Sequence, residues 1–130
     1  MTISVLLIAL ILLQIKHFLA DYYWQADWML EQKAQYGRLG GIAHASLHAI
    51  LSLPALVVAA GGWDSLLAVI LFAEFLLHYH IDWYKLKLRD QRKAENTDRF
   101  FWLLVGLDQL AHQLTYVGMI AAIIWLGVKS

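Results

Sequence analysis

The sequence contains no cysteine, one proline and few charged residues, which make up 15% of its 130 positions. The absence of cysteine excludes disulfide frameworks and thiolate metal sites, so a bound metal would need imidazole and carboxylate ligands. Because proline is scarce and no long glycine, serine or proline tract occurs, the chain does not have the composition of a disordered protein. A formal net charge of zero points to no polyanionic partner, and we expect no nucleic acid to bind.

The abundant residues are apolar: 61% of the chain is hydrophobic and the mean hydropathy is +0.57. The length allows one domain over residues 1–130, and this composition predicts an integral membrane protein that contacts the lipid bilayer. The first four residues carry no basic group of the kind that begins a cleaved signal. We therefore expect the first apolar segment to be retained.

Four apolar segments each have close to the roughly 20 residues that the core of a bilayer requires. Gly61 and Gly62 follow the second segment, and helix-capping residues precede the third and fourth at Asp64 and at 96–98. We predict an all-α, up-down four-helix membrane bundle with a polar, metal-binding centre in its cytoplasmic half. The predicted spans are about 3–24, 41–60, 65–87 and 98–127.

The basic residues are unevenly distributed along the chain. Eight of the ten lysines and arginines lie in or beside the two longer connections, residues 25–40 and 88–97. By the positive-inside rule, both connections lie in the cytoplasm and both termini lie outside.

Each segment also carries metal-ligand side chains four residues apart, a spacing that places them on one face of a helix. Ionisable groups in hydrocarbon cost several kcal/mol each and are retained mainly at functional sites. We therefore predict a metal centre. Its predicted ligands are His17, Asp21, His44, His48, Glu74, His78, Asp82, Asp108 and His112.

The four sets of ligands are expected to meet at one level. In an up-down bundle the second half of each helix lies beside the first half of the next, and the four sets follow that alternation. Residues four apart differ in depth by about 6 Å, which predicts two layers with His78 between them. The deep layer comprises His17, His48, Glu74 and His112, and the shallow layer comprises Asp21, His44, Asp82 and Asp108. These donors predict two divalent ions, with Zn²⁺ favoured and Mn²⁺ or Fe²⁺ as alternatives.

Four further assignments concern single side chains. Asp82 is the candidate catalytic base. Lys85 lies about 20° from Glu74 on a helical wheel, so it is a candidate to bind a substrate phosphate, although it could instead extend to the membrane interface. Gln109 either supports the ligands and substrate or forms a hydrogen bond between helices. His80, two residues after His78, points to another face and is not assigned to the centre.

The ligand motifs together resemble those of domain of unknown function family 3307, a family of small bacterial and phage membrane proteins. The resemblance is carried by the run from His17 to Gln25, by His44-x-x-x-His48, by Glu74-x-x-x-His78-x-x-x-Asp82-x-x-Lys85 and by Asp108-Gln109-x-x-His112. It covers essentially the whole chain and implies that these positions belong together, but it implies no activity. The spans and the basic connections predict a multi-pass protein of the bacterial inner membrane. The ligand types and spacing are also similar, more loosely, to membrane-bound metal-dependent hydrolases and zinc-dependent phospholipase C.

The leading hypothesis is a metal-dependent hydrolase of a phosphoester, carried by a lipid or amphiphile, at the cytoplasmic face. A di-iron oxidoreductase is an alternative, although di-iron bundles use Glu-x-x-His spacing and the pairs here are four residues apart. A metal or proton transporter is a second alternative, although no charged residue continues the polar stripes into the outer halves of the helices. A structural or signalling module that binds metal is a third, and homo-oligomerisation stays open.

Overall fold

A computed structural model describes residues 2–128, and all regular structure within them is helical. The long helices are α1 (Ile3–Phe18), α3 (Leu39–Ala60), α4 (Ser65–Arg92) and α5 (Arg99–Trp125). Helix α1 continues into a π-helical turn (Leu19–Tyr23), and a short helix, α2 (Asp27–Gln32), lies between that turn and α3. The sequence predicts the connection at 25–40 as a polar loop, so α2 is an addition to that prediction.

Local interactions define the helix ends at which the sequence predicts caps. The side chain of Asp64 accepts a hydrogen bond from the Leu66 N–H at 2.8 Å, which confirms its predicted N-cap role at the start of α4. Gly61 ends α3 in the left-handed conformation, with a φ of 80° that glycine adopts without steric cost. Asp98 begins α5 without a side-chain cap, because its carboxylate accepts from the Glu95 N–H instead.

The helices are apolar on the outside and polar on the inside. By length and composition, α1 with its π-helical turn, α3 and α4 could each cross a membrane. Side chains such as Ile11, Phe72 and Leu107 point outward and are more than half exposed, at 57%, 61% and 52%. Histidines and carboxylates are buried instead, as His48 and Glu74 show. This distribution suits a protein associated with a membrane, because its exterior matches lipid.

Helix α3 packs on both α1 and α4, and α4 packs on α5, whereas α1 meets α5 over a much smaller contact. The apolar core lies at the end of the molecule where α3 turns into α4. It is formed by residues such as Leu13, Leu56, Leu67 and Ile120. At the other end, polar side chains take the place of the core, so the fold separates an apolar half from a polar half.

Helix α2 packs closely on the start of α3 through Gly40. A Cβ atom on Gly40 would lie 2.6 Å from the Cβ of Gln32 and 2.9 Å from the carbonyl oxygen of Trp28. The Gly40 N–H also donates to the side chain of Gln32 at 3.0 Å. Glycine at this position therefore allows α2 to lie against α3 beneath the polar centre.

We predict that Gly40→Ala lowers the free energy of unfolding by about 1–3 kcal/mol, since the added methyl group forces α2 and α3 apart. Gly106→Ala is the matched control, because a Cβ on Gly106 meets nothing within 4 Å and alanine favours a helix more than glycine does. Thermal unfolding of both variants in detergent measures the difference, and equal stability of the two would contradict this packing.

Candidate metal centre

The polar side chains of α1, α3, α4 and α5 come together in one buried cluster. Seven of the nine predicted ligands have 5% or less of their surface exposed. His17 is exposed by 6%, and the Asp21 side chain by 16%. Four-residue spacing explains the convergence, because it turns each pair toward the same side of its helix.

Asp21 is positioned by the π-helical turn rather than by a regular α-helix. In that turn the Trp24 N–H donates to the carbonyl oxygen of Leu19 at 2.8 Å, five residues earlier. The wider turn rotates Asp21 away from its α-helical position. Such turns are often found at functional sites. Here the result is that one carboxylate contacts imidazoles from two helices.

The carboxylate of Asp21 lies at the middle of three imidazoles. Its Oδ1 is 3.1 Å from Nε2 of both His44 and His48, and its Oδ2 is 3.3 Å from Nε2 of His17. None of these contacts involves a lysine or an arginine. Asp21 therefore has the donor geometry and the local charge to attract a cation.

Two overlapping groups of side chains could hold a metal ion. In the first group, Asp21, His44, His48 and His78 each offer one ligand atom, and these atoms lie within 4.8 Å of one another. The second group consists of His78, Asp82 and His112, under the same distance limit. His78 belongs to both. Three imidazoles with one carboxylate are a donor set that suits Zn²⁺.

Several ring nitrogens in these groups are buried without a hydrogen-bond partner among the described residues. They include both nitrogens of His44 and His78 and the Nε2 of His112. His44 Nε2 is near Asp21 and also 3.3 Å from Asp82 Oδ2, but neither contact has hydrogen-bond geometry. Buried polar atoms normally have a hydrogen-bond partner. A cluster of buried ring nitrogens without one is therefore what a set of metal ligands would look like before an ion binds.

The other three predicted ligands contact protein groups outside the two metal-binding groups. His17 Nδ1 is 2.7 Å from the Tyr116 hydroxyl, and His17 Nε2 is 3.0 Å from the Gln109 side-chain oxygen. Asp108 accepts a hydrogen bond from Lys85 at 2.8 Å. Glu74, the third, is bound to a lysine that is described next. These residues surround the two groups.

Lys16 is a buried residue of the centre that the ligand spacing does not predict. It donates to Glu74 Oε1 at 2.6 Å, and Ser52 donates to the same oxygen at 2.8 Å. The Lys16 ammonium is also 3.3 Å from Nδ1 of His48, so it lies against the first metal-binding group. Its one sequence signal is its position beside His17, far from the basic connections that contain most other lysines.

Lys33 is a second buried lysine, although the sequence places it in a basic connection. Its ammonium is 3.1 Å from Asp82 Oδ2 and donates to the Gln25 side chain at 2.6 Å. The segment after α2 therefore reaches back into the centre and caps it. Asp82, the predicted base, contacts Lys33, His44 and His112, the last at 3.8 Å.

The two metal-binding groups do not follow the predicted deep and shallow layers. His48 from the deep layer joins Asp21 and His44 from the shallow layer, and His78 connects this group to Asp82 and His112. The two predicted layers differ in depth by about 6 Å, which is similar to the length of a histidine side chain. Side chains from both layers can therefore meet. The π-helical turn adds to this by rotating Asp21.

A cavity of about 270 Å³ reaches the centre from the end of the molecule that carries the basic residues. Both predicted substrate-binding residues, Lys85 and Gln109, line it, as do Asp21, Lys33 and Arg89. The cavity therefore joins one metal-binding carboxylate to three cationic side chains. A small anion in this cavity would be close to any metal that Asp21 holds.

Comparison with known proteins gives one match. The model of a family described as "Protein of unknown function (DUF3307)" matches residues 7–130, a range that includes every predicted ligand. This match confirms the family resemblance of the motifs. No curated protein and no solved structure matches the chain.

We predict that Lys16→Met lowers the free energy of unfolding by about 3–5 kcal/mol, because it leaves the Glu74 carboxylate buried without its partner. Adding Glu74→Gln to that variant should restore most of the loss. Lys87→Met is the control, since Lys87 is an exposed lysine over the Trp83 ring and should contribute only about 0.5–1 kcal/mol. Chemical unfolding in detergent measures all three, and equal losses for the two lysine variants would contradict the buried pair.

Proposed function

This chain belongs to the DUF3307 family, and we propose that it is a membrane-embedded, metal-dependent hydrolase of phosphoesters. The observation that carries the proposal is the position of two His/carboxylate groups, joined by His78, beside a cavity with a cationic wall. The family description supplies no activity, so the proposal rests on the chemistry of these side chains.

The proposed architecture is a four-helix membrane bundle in which α5 forms the fourth span. The polar residues of α5 lower its overall hydropathy, yet Asp108 and His112 point into the cluster. Its outward-facing side chains are apolar and at least half exposed, as Leu103, Leu110 and Leu114 show. A helix with this distribution is stable in lipid once the other helices cover its polar face.

The proposed chemistry assigns a role to each group of residues. Asp21, His44 and His48 would hold one ion, Asp82 and His112 would hold a second, and His78 lies within reach of either. Zn²⁺ is favoured, with Mn²⁺ or Fe²⁺ as alternatives. When bound, such an ion supplies a water of lowered pKa and stabilises charge on phosphoryl oxygens.

The remaining steps fall to side chains of the chain itself. Asp82 accepts the proton of the attacking water through a carboxylate oxygen that is not engaged with a metal. Lys85 and Gln109, which line the cavity, bind the phosphate oxygens. Lys85 contacts the Asp108 carboxylate at 2.8 Å. When a substrate binds, its phosphate replaces Asp108 as the anionic partner of Lys85.

Two observations favour hydrolysis over the alternatives. Leu56, Leu67 and Ile120 fill the half of the described structure beyond the centre, and the buried charged residues all lie in the other half, so no polar path crosses the protein. Glu74 is the one glutamate of the four long helices, and it is bound to Lys16 and Ser52 rather than to either metal-binding group. A di-iron centre of the usual kind requires more glutamate ligands.

We predict that protein purified in detergent binds about two divalent ions per chain and hydrolyses 4-nitrophenyl phosphate. His78→Asn should remove a ligand from both groups, so it should lower metal content and reduce activity by at least about 100-fold. Elemental analysis and initial rates are the two measurements.

His80→Asn is the matched control for this variant. His80 lies on the same helix but is exposed, and its ring contacts the Tyr36 hydroxyl at 3.1 Å and the Leu76 carbonyl oxygen at 2.7 Å. It should keep full metal content and activity. Equal metal content in the two variants would refute the site. A metal-loaded protein that hydrolyses no phosphoester in a broad panel would refute the reaction.

The proposed location is the bacterial inner membrane, with the connections at 25–40 and 88–97 in the cytoplasm and both termini outside. Because the chain has no cysteine, single cysteines report this topology directly. We predict that Trp63→Cys reacts with a membrane-impermeant maleimide in intact spheroplasts, whereas Gln91→Cys reacts only after permeabilisation. The reverse labelling pattern would show the opposite orientation.

A further inference from the structure

The cavity beside the metal centre also indicates a substrate class, and this inference rests on the proposed function. We propose that the substrate is an amphiphile with one phosphate headgroup and one apolar chain. The headgroup binds at a cationic wall formed by Lys33, Lys85 and Arg89. The chain lies on an apolar wall formed by Leu86, Phe101, Leu104 and Val105.

The three cations of this wall can bind a phosphate by exchanging their present ion-pair partners. They share the lining of the cavity with two carboxylates, Asp21 and Asp108. Each cation already contacts an acidic side chain, and Arg89 is 2.7 Å from Asp90. An ion held by Asp82 would weaken the attraction between Asp82 and Lys33, which would free Lys33 for a headgroup.

The apolar wall has no use in binding a water-soluble phosphoester. It is formed mainly by the first turns of α5, where Phe101 and Val105 are half-buried and Leu104 is buried. Leu86 of α4, also buried, completes it. An alkyl chain on this surface would gain about tenfold in affinity for roughly every two methylene groups that it buries.

The location of the cavity explains how such a chain could reach it. Asp21 and Tyr22 line one side and the start of α5 lines the other, where α1 and α5 make their small contact. Tyr22 is 71% exposed, and Trp102 on α5 is 60% exposed, as expected of side chains at a membrane interface. An amphiphile could therefore present its phosphate to the centre while its chain stays in the bilayer.

The test measures binding without turnover. Methylphosphonate and octylphosphonate share a headgroup that hydrolysis cannot release, and isothermal titration gives their affinities for zinc-loaded protein in detergent, below the micelle concentration of the probe. Octylphosphonate should bind at least about tenfold more tightly. Val105→Phe fills the apolar wall and should reduce that preference to about threefold or less, with methylphosphonate affinity unchanged.

Leu103→Phe is the matched control, because Leu103 is an exposed residue of the same helix outside the cavity lining and should keep the full preference. Phe101→Ala, which shortens the same wall, replaces Val105→Phe if that variant does not fold. Equal affinity for the two phosphonates, absence of binding, or an equal preference in the Val105 and Leu103 variants would overturn the inference. Failure to hydrolyse any phosphoester of the broad panel would refute the proposed function alone, because the binding result does not depend on turnover.

Discussion

A charged side chain in apolar surroundings is unstable unless an opposite charge or a hydrogen bond compensates it, and this constraint explains the arrangement of the polar half of the protein. Three lysine–carboxylate pairs surround the imidazoles: Lys16 with Glu74, Lys33 with Asp82, and Lys85 with Asp108. Asp21 is the exception, since its partners are histidines alone. The carboxylate without a lysine thus contacts imidazoles alone, and a bound cation would complete its compensation.

The rest of the fold is arranged around that requirement. The apolar core occupies one half of the helices, and the cavity at the basic end reaches the polar centre. Helix α2 and the segment after it carry Lys33 into the structure, and the close approach at Gly40 lets that segment lie against α3. The same elements that bury the histidines therefore also position the lysines that line the cavity beside them. A cavity lined by cationic side chains beside the candidate metal centre is more consistent with a reaction on an anionic substrate than with a metal that only stabilises the fold.

Much of this arrangement could be predicted from the sequence, because helical periodicity is a strong signal. The four-residue spacing of His44 and His48, and of His78 and Asp82, was enough to predict that they converge. The family prediction was confirmed by the match to residues 7–130. The burial of Lys16 and Lys33 was not predicted, because a lysine near a membrane interface usually extends to water. The π-helical turn and the regrouping of the layers depend on side-chain reach and helix geometry, which a one-dimensional pattern does not contain.

The central claim is that imidazoles from α3 and α4, together with Asp21, bind a divalent ion. X-ray absorption at the zinc edge tests it most directly, because the fine structure reports the atoms bound to the ion. The account predicts mainly imidazole nitrogen with some carboxylate oxygen, at about 2.0–2.1 Å, in protein loaded with zinc. A shell of oxygen alone, without the multiple scattering of imidazole rings, would show that zinc binds elsewhere and would contradict the account.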